Sequence, residues 1–96
     1  MYLWVMYDVS DNRNRRRIAK ACRLAGLERV QRSVFLGKIY NSAGRALATE
    51  LQPLIDPTRD KLYLTRIDKG SYRRIRRYGV DFAHAAIDAV YTHRFF

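Results

Sequence analysis

The sequence has little of several features that would identify its chemistry directly. Its 96 residues include one cysteine and five glycines, and no glycine-rich phosphate loop is present. The single cysteine, Cys22, excludes a disulfide framework and a cysteine-based metal site within the chain, so we expect a reducing, cytoplasmic location. The apolar run YLWVMY at residues 2–7 is too short to cross a bilayer, and the sequence predicts neither a signal peptide nor a membrane partner.

Acidic residues are also scarce. The chain has 19 lysines and arginines against 9 aspartates and glutamates, a net charge of +10, and most of the cations are arginine. Arginine binds phosphate bidentately and stacks on bases. Because the charge is high for one small domain, it predicts a polyanionic partner. The 48% of hydrophobic residues is typical of a globular chain and argues against disorder over its whole length.

The first half of the chain predicts a strand followed by a helix. Residues 2–7 are apolar on both alternating faces, as in the middle strand of a sheet. A helix follows from about Asn12 to Leu24, capped by Ser10 or Asp11 and ended by Gly26. Its apolar stripe is Ile18, Ala21, Cys22 and Ala25.

The next segments predict two more strands, a second helix and a last strand. Residues 29–40 predict two extended pieces, with Gly37 marking a turn or bulge. A second helix, capped by Ser42, runs to about Leu54, and a last strand covers residues 62–67. The order strand, helix, strand, strand, helix, strand predicts an α+β fold, the ferredoxin-like βαββαβ arrangement, over residues 1–67.

Residues 68–96 are predicted to form a C-terminal extension that contacts a second subunit or a partner. The segment at residues 81–90 fits either a short helix or a loop followed by a strand. His84 and His93 match no metal or catalytic spacing, so we expect ordinary surface or packing roles for both. The RNA-recognition domain has the same order of elements, but FLGKIY at residues 35–40 does not match its third-strand signature.

Asp8 is the first candidate for chemistry. It stands at the end of the central strand beside a helix N-terminus, within YDVSDNRNRRR at residues 7–17, and a hard oxygen ligand there suits Mg²⁺ or Mn²⁺. One carboxylate is a weak site alone, but a twofold dimer would bring two copies together. The alternative is a helix cap, for which Ser10 and Asp11 are better placed.

The cations around the first helix are the second candidate. No acid lies between Asp11 and Glu28, whereas a purely solvated helix face usually alternates basic residues with glutamate. Phosphate binding is therefore the favoured interpretation. The candidate nucleic-acid-binding residues are Arg13, Arg15, Arg16, Arg17, Lys20, Arg29 and Arg32.

The stretch YDVSDNRNRRRIAKACRLAGLERVQRSVFLG at residues 7–37 resembles the signature of a CRISPR-associated family, the small second protein of the spacer-acquisition machinery, or Cas-two family. The most specific pieces are YDVSD, RRRIAKACRLAGLERVQ and RSVFLG. The family commonly has glutamate after the phenylalanine of the last piece, where this sequence has Leu36.

The resemblance implies a ferredoxin-like homodimer in which the C-terminal segment adds to the partner's sheet. It implies that Asp8, one from each subunit, is the catalytic residue and the ligand of Mg²⁺, with Mn²⁺ as the alternative ion. Arg15, Arg17 and Arg29 match cationic positions of the same motif. Supporting residues are Tyr7, Ser33 and Phe35.

The activity implied by the resemblance is metal-dependent endonuclease cleavage, a phosphodiesterase reaction on RNA or DNA, in CRISPR spacer acquisition. The implied partners are the CRISPR integrase and nucleic acid. One alternative is a non-catalytic adaptor that bridges integrase subunits and the protospacer DNA. Another is a toxin-like ribonuclease of the same fold.

Overall fold

A computed structural model describes residues 1–79 and has the predicted order of elements. The strands are β1 (Tyr2–Asp8), β2 (Glu28–Gln31), β3 (Val34–Lys38) and β4 (Lys61–Ile67). The helices are α1 (Asn12–Leu24), α2 (Asn41–Leu51) and α3 (Lys69–Arg73), and a 3₁₀ turn at Gln52–Leu54 extends α2. The predicted α+β, ferredoxin-like fold is confirmed. His84, His93 and the segment at residues 81–90 lie outside the described residues.

The four strands form one antiparallel sheet in the order β2-β3-β1-β4. β1 is central, as its apolar character on both faces predicts. It pairs with β3 from Tyr2 to Met6 and with β4 along its whole length, where Asp8 lies opposite Lys61. Because the β3 pairing stops at Met6, Asp8 ends β1 with only β4 beside it.

The main core lies between the sheet and the two long helices. Alternate residues of β1 point toward the helices, and Leu3, Val5 and Tyr7 are buried there. The predicted apolar stripe of α1, which includes Cys22, faces this core. The helix residues buried in it include Ile18, Ala19, Ala21, Cys22, Leu47 and Leu51.

The second face of the sheet is covered over part of its area. Helix α3 packs there, and the rings of Tyr2 and Tyr72 stack with centroids 4.0 Å apart and planes 6° apart. Leu36 is fully buried beside them. Toward the other end of β1 the described residues leave this face uncovered, and Tyr63 is 60% exposed. We call this region the open half of the sheet; it contains Met6, Asp8, Val34, Lys61 and Tyr63.

The helix starts differ in part from the sequence-based predictions. For α1, Asp11 is the cap, and its carboxylate accepts the N–H of Asn14 at 2.9 Å. For α2 the predicted Ser42 cap is wrong, because the helix begins at Asn41 and Ser42 is its second residue. The Ile39 N–H donates to the Met1 carbonyl and the Tyr40 carbonyl accepts the Gly44 N–H, so the end of β3 sets where the helix starts. A serine cap contributes only about 1 kcal/mol, and packing overrides it.

The prediction that Gly37 marks a turn or bulge is also wrong. Gly37 lies inside β3 opposite Leu3, and the irregular register falls in β2 between Arg29 and Gln31. Glycine is needed at position 37 because a Cβ there would lie 2.7 Å from Leu27 Cδ2 and 3.0 Å from Leu27 Cα. A glycine inside a strand marks either a bulge or a close approach of another backbone segment, and at position 37 it marks the close approach.

Two side chains hold the loop that follows Asp8. Asp60 Oδ1 accepts the N–H of Ser10 at 3.1 Å, and Asp60 Oδ2 accepts the N–H of Asp56 at 2.9 Å. From the other side, Arg15 Nη1 donates to the carbonyls of Val9 at 3.0 Å and Ser10 at 3.3 Å. These bonds fix the chain just beyond Asp8 to both β4 and α1.

We expect Gly37→Ala to lower the free energy of unfolding by about 1–3 kcal/mol, because the added methyl group forces the Leu27 backbone to move. Gly44→Ala is the matched control, since a Cβ at that helical position meets Leu3 Cδ2 at an ordinary 3.8 Å. It should raise stability by about 0.5–1 kcal/mol. Urea unfolding followed by fluorescence of Trp4, the single tryptophan, measures both; equal effects of the two variants would contradict the packing argument.

The Asp60 bonds predict a pH dependence. The N–H groups of Asp56 and then Ser10 hold the pKa of Asp60 below its ordinary value. A carboxylate with a lowered pKa stabilises the fold above the unfolded-state pKa of about 3.9, and this stabilisation is lost as pH falls through the folded-state pKa. We expect Asp60→Asn to lower the urea midpoint at neutral pH and to flatten the decline of that midpoint below about pH 4.

The control for that measurement is Glu50→Gln, which removes an exposed carboxylate from α2. If the urea midpoint of Asp60→Asn falls below about pH 4 as steeply as that of the parent, the two hydrogen bonds to Asp60 contribute nothing to the pH dependence of stability.

Candidate nucleic-acid and metal site

Asp8 is an exposed carboxylate with no partner in the described part of the chain. It ends β1 on the open half of the sheet, opposite Lys61. Among residues 1–79 its side chain makes no hydrogen bond and no salt bridge. The cap of α1 is Asp11, so the alternative role that the sequence left open for Asp8, capping that helix, belongs to another residue.

One chain supplies one carboxylate to a divalent ion here. Residues 1–79 contain no group of three or more His, Cys, Asp or Glu side chains that could hold a metal ion. Mg²⁺ in enzymes often keeps several waters and is held by one or two carboxylates together with substrate phosphates. Within residues 1–79 an unpartnered Asp8 fits that mode as a single ligand, with further ligands supplied by waters and substrate phosphates.

Asp8 lies in a groove of about 460 Å³ on the open half of the sheet. The turn between β2 and β3 forms one wall, with Arg32 and Ser33, and β4 forms the other, with Lys61 and Tyr63. We call it the Asp8 groove. A cation therefore stands in each wall around the carboxylate.

A second, larger cleft of about 520 Å³ lies between α1 and the β2–β3 hairpin. We call it the arginine cleft. Among the residues that the structure describes, six cations and no acid line it: Arg15, Arg16, Lys20, Arg23, Arg29 and Arg32. The four on α1 follow the spacing of one helix face, and the buried Ala19 lies on that face too.

The predicted basic residues divide between two places. Five of the seven candidates on or near α1 line the arginine cleft, whereas Arg13 and Arg17 are exposed outside it. Arg23 lines the cleft but was not among the predicted residues. The signal that would have found it is its helical spacing, three residues after Lys20 and seven after Arg16.

The supporting residues Tyr7, Ser33 and Phe35 lie together behind these cations. Phe35 is fully buried, with the Arg29 guanidinium 5.2 Å from its ring centroid, a cation–π contact that orients Arg29. The Tyr7 ring lies 6.4 Å from that of Phe35. Burial raises the pKa of Tyr7, and Arg29 only partly opposes this, so its phenol is a protonated hydrogen-bond donor at neutral pH.

Two other side chains have no place in the site. Leu36, where the resembling family commonly has glutamate, is packed among Tyr2 and Tyr72 on the covered part of the second face. Burial raises the pKa of the Cys22 thiol to about 12, so it is neither ionised nor accessible as a nucleophile.

No helix within residues 1–79 combines the length and apolar character that crossing a membrane requires.

Comparison with known proteins gives consistent matches. The profile of the family described as CRISPR associated protein Cas2 matches residues 1–75. A protein of Pyrobaculum aerophilum named CRISPR-associated endoribonuclease Cas2 2 is 32% identical over 69 residues, which are 72% of this chain and 76% of that protein. A protein of Thermoproteus tenax named CRISPR-associated endonuclease Cas1/endonuclease Cas2 fusion is 30% identical over 69 residues, 72% of this chain and 26% of the fusion.

A crystal structure of Streptococcus pyogenes Cas2 superposes with a TM-score of 0.70 at 28% identity, covering 82% of this chain and all of that one. The matched region contains the whole βαββαβ unit, Asp8 and the arginine cleft. The chain therefore belongs to the CRISPR-associated protein Cas2 family, the Cas-two family of the sequence resemblance.

Proposed function

We propose that this protein is a dimeric, metal-dependent phosphodiesterase that cleaves nucleic acid during CRISPR spacer acquisition. The observation that carries the proposal is the unpartnered Asp8 carboxylate beside a cleft of six cations. Structural carboxylates in this chain, such as Asp11, Asp56 and Asp60, are all hydrogen-bonded to backbone N–H groups. Asp8 accepts no such bond within the described residues, so its carboxylate oxygens are available to an incoming group. The endoribonuclease names of relatives agree with this function.

The chain's own residues would act mainly by positioning and by charge. Arg32 and Lys61 stand on either side of Asp8 and would neutralise the phosphates that flank the cleaved bond. Tyr7, whose side chain is buried on the helix side of the sheet, would act indirectly by supporting Arg29 beside it. Asp8 would hold Mg²⁺ or Mn²⁺. When bound, the ion supplies Lewis-acid stabilisation of the phosphate and activation of water.

A homodimer would complete the site. The open half of the sheet leaves Met6 and Val34 only partly buried and Tyr63 largely exposed around Asp8. A second copy packed here by a twofold axis would cover these apolar groups and bring the two Asp8 residues toward each other. This arrangement would supply a second carboxylate, which the described residues of one chain do not place in the Asp8 groove.

A second candidate function is a non-catalytic adaptor that joins an integrase to DNA. The Thermoproteus tenax relative, whose name describes a Cas1 endonuclease fused to a Cas2 endonuclease, favours a Cas1-type integrase as the partner. An adaptor would use the basic surface for binding and would not need the Asp8 carboxylate. The two functions are therefore separated by Asp8 and not by the arginines.

We expect Asp8→Ala to lower the cleavage rate by about 100-fold or more, because it removes the one carboxylate that residues 1–79 place in the Asp8 groove to hold the ion. Labelled single-stranded RNA and double-stranded DNA, each with Mg²⁺, Mn²⁺ or EDTA, measure the effect. Glu28→Gln, which removes an exposed carboxylate from β2, is the matched control and should cleave like the parent.

Metal-dependent cleavage that is equally fast in Asp8→Ala would overturn the catalytic role of Asp8. No cleavage by any variant, together with an intact complex between Asp8→Ala, DNA and a Cas1 integrase, would establish the adaptor.

A further inference from the structure

We propose that Asp60 is a positioning residue for Asp8, because its carboxylate fixes the loop that follows β1 to the start of β4. The inference rests on the proposed function, in which Asp8 holds the divalent ion. It adds to that site a residue that touches neither the ion nor the substrate, and its test includes a measurement that requires neither metal nor cleavage.

Pairing in the sheet locates Asp8 from one side within the described residues. Asp8 lies beyond Met6, the last β1 residue that pairs with β3, and opposite Lys61. Lys61 is the first residue of β4, and Asp60 directly precedes it. The position of Asp8 therefore depends on how the loop that follows it is joined to β4.

Asp60 makes that connection with one carboxylate oxygen. Its Oδ1 accepts the N–H of Ser10, two residues after Asp8, at 3.1 Å. Its Oδ2 accepts the N–H of Asp56 at 2.9 Å, and the N–H of Asp60 donates to the Asp56 carbonyl at 2.8 Å. Because the bonds with Asp56 hold Asp60 itself, its carboxylate presents a fixed acceptor to the loop.

The loop is held from its other side by the helices. Val9 is buried in the main core, and Arg15 of α1 donates to the Val9 carbonyl at 3.0 Å. The Asp60 bond ties the loop instead to β4, which forms one wall of the Asp8 groove. Loss of this bond leaves Asp8 attached on the helix side and free to shift relative to that wall.

Asp60 acts through these bonds and not as a second metal ligand. It is not among the described residues that line the Asp8 groove, and each of its oxygens accepts a backbone N–H. Those N–H groups hold the pKa of Asp60 below its ordinary value, so the acceptor is ionised at neutral pH. A metal site needs its ligands within about 0.5 Å of the productive geometry, so a shift of the loop weakens the site at Asp8.

The test uses two variants of the full chain. Asp60→Ala removes both accepted bonds, and Asp60→Asn keeps an oxygen acceptor but loses the charge. The matched control is Asp68→Ala, since Asp68 follows the other end of β4 and its carboxylate accepts the Ser71 N–H at 2.7 Å. Urea unfolding shows that each variant is folded.

Three measurements are compared among these variants. Electron paramagnetic resonance gives the affinity for Mn²⁺ without nucleic acid. NMR relaxation of the Asp8 backbone amide reports its motion without metal. Cleavage kinetics with a labelled oligonucleotide separate kcat from KM.

We expect Asp60→Ala to weaken Mn²⁺ binding by about tenfold or more and to lower kcat, as loss of a group that supports a metal ligand typically does. Motion of the Asp8 amide should increase. KM should stay unchanged, because the cations around the groove are untouched. Asp60→Asn should keep part of the Mn²⁺ affinity, because its carbonyl oxygen can still accept one N–H.

Asp68→Ala should match the parent in all three measurements. The inference would be overturned by equal effects of Asp60→Ala and Asp68→Ala, or by an Asp8 amide that moves no more in Asp60→Ala than in the parent. Equal losses of Mn²⁺ affinity in Asp60→Ala and Asp60→Asn would overturn it too, because charge alone would then explain the effect. Failure of the proposed function gives a different pattern: Asp8→Ala binds Mn²⁺ like the parent and no variant cleaves, yet Asp60→Ala still mobilises Asp8.

Discussion

The position of β1 at the centre of the sheet is the constraint on which the rest of the molecule depends. It is paired on both sides, packed under α1 and α2 on one face, and covered by α3 at the start of the other. Asp8 ends this strand, beyond the last residue paired with β3 and opposite Lys61 of β4, so the firmly held strand behind it fixes where its backbone lies.

Much of this arrangement was predictable from residue patterns, because strands and helices here follow their hydrophobic periods closely. The continuous apolar run at residues 2–7 predicted the central strand, and the stripe containing Ile18 and Cys22 predicted the helix face that lies in the core. What the patterns could not give were contacts between distant segments. The bond from Ser10 to Asp60 spans 50 residues, and the need for glycine at position 37 comes from Leu27 packed against it. Arg23 was left out of the predicted binding residues, although its helical spacing places it with Arg16 and Lys20 on the face that lines the cleft.

Two cations of the site are held in place by groups other than acids. Within the described residues, Arg15 donates to backbone carbonyls and Arg29 lies over an aromatic ring, so a carboxylate neutralises neither charge. Both stay electrostatically available to a polyanion. The cations repel one another in the free protein and lower its stability, as is common where binding requires a concentration of like charge. The carboxylates that do occur nearby, Asp11 and Asp60, hold backbone N–H groups and shape the loop around Asp8.

The short turn at Arg32–Ser33 has a geometric consequence of its own. Only these two residues separate β2 from β3, and the turn is fastened to β1 through Tyr7. A two-residue connection gives the hairpin little freedom to move against the central strand, so Arg32 in one wall of the Asp8 groove stays at a constant separation from Asp8. A longer loop at this point would let that cation move independently of the carboxylate, so the shortness of the turn itself keeps the two opposite charges apart and in place.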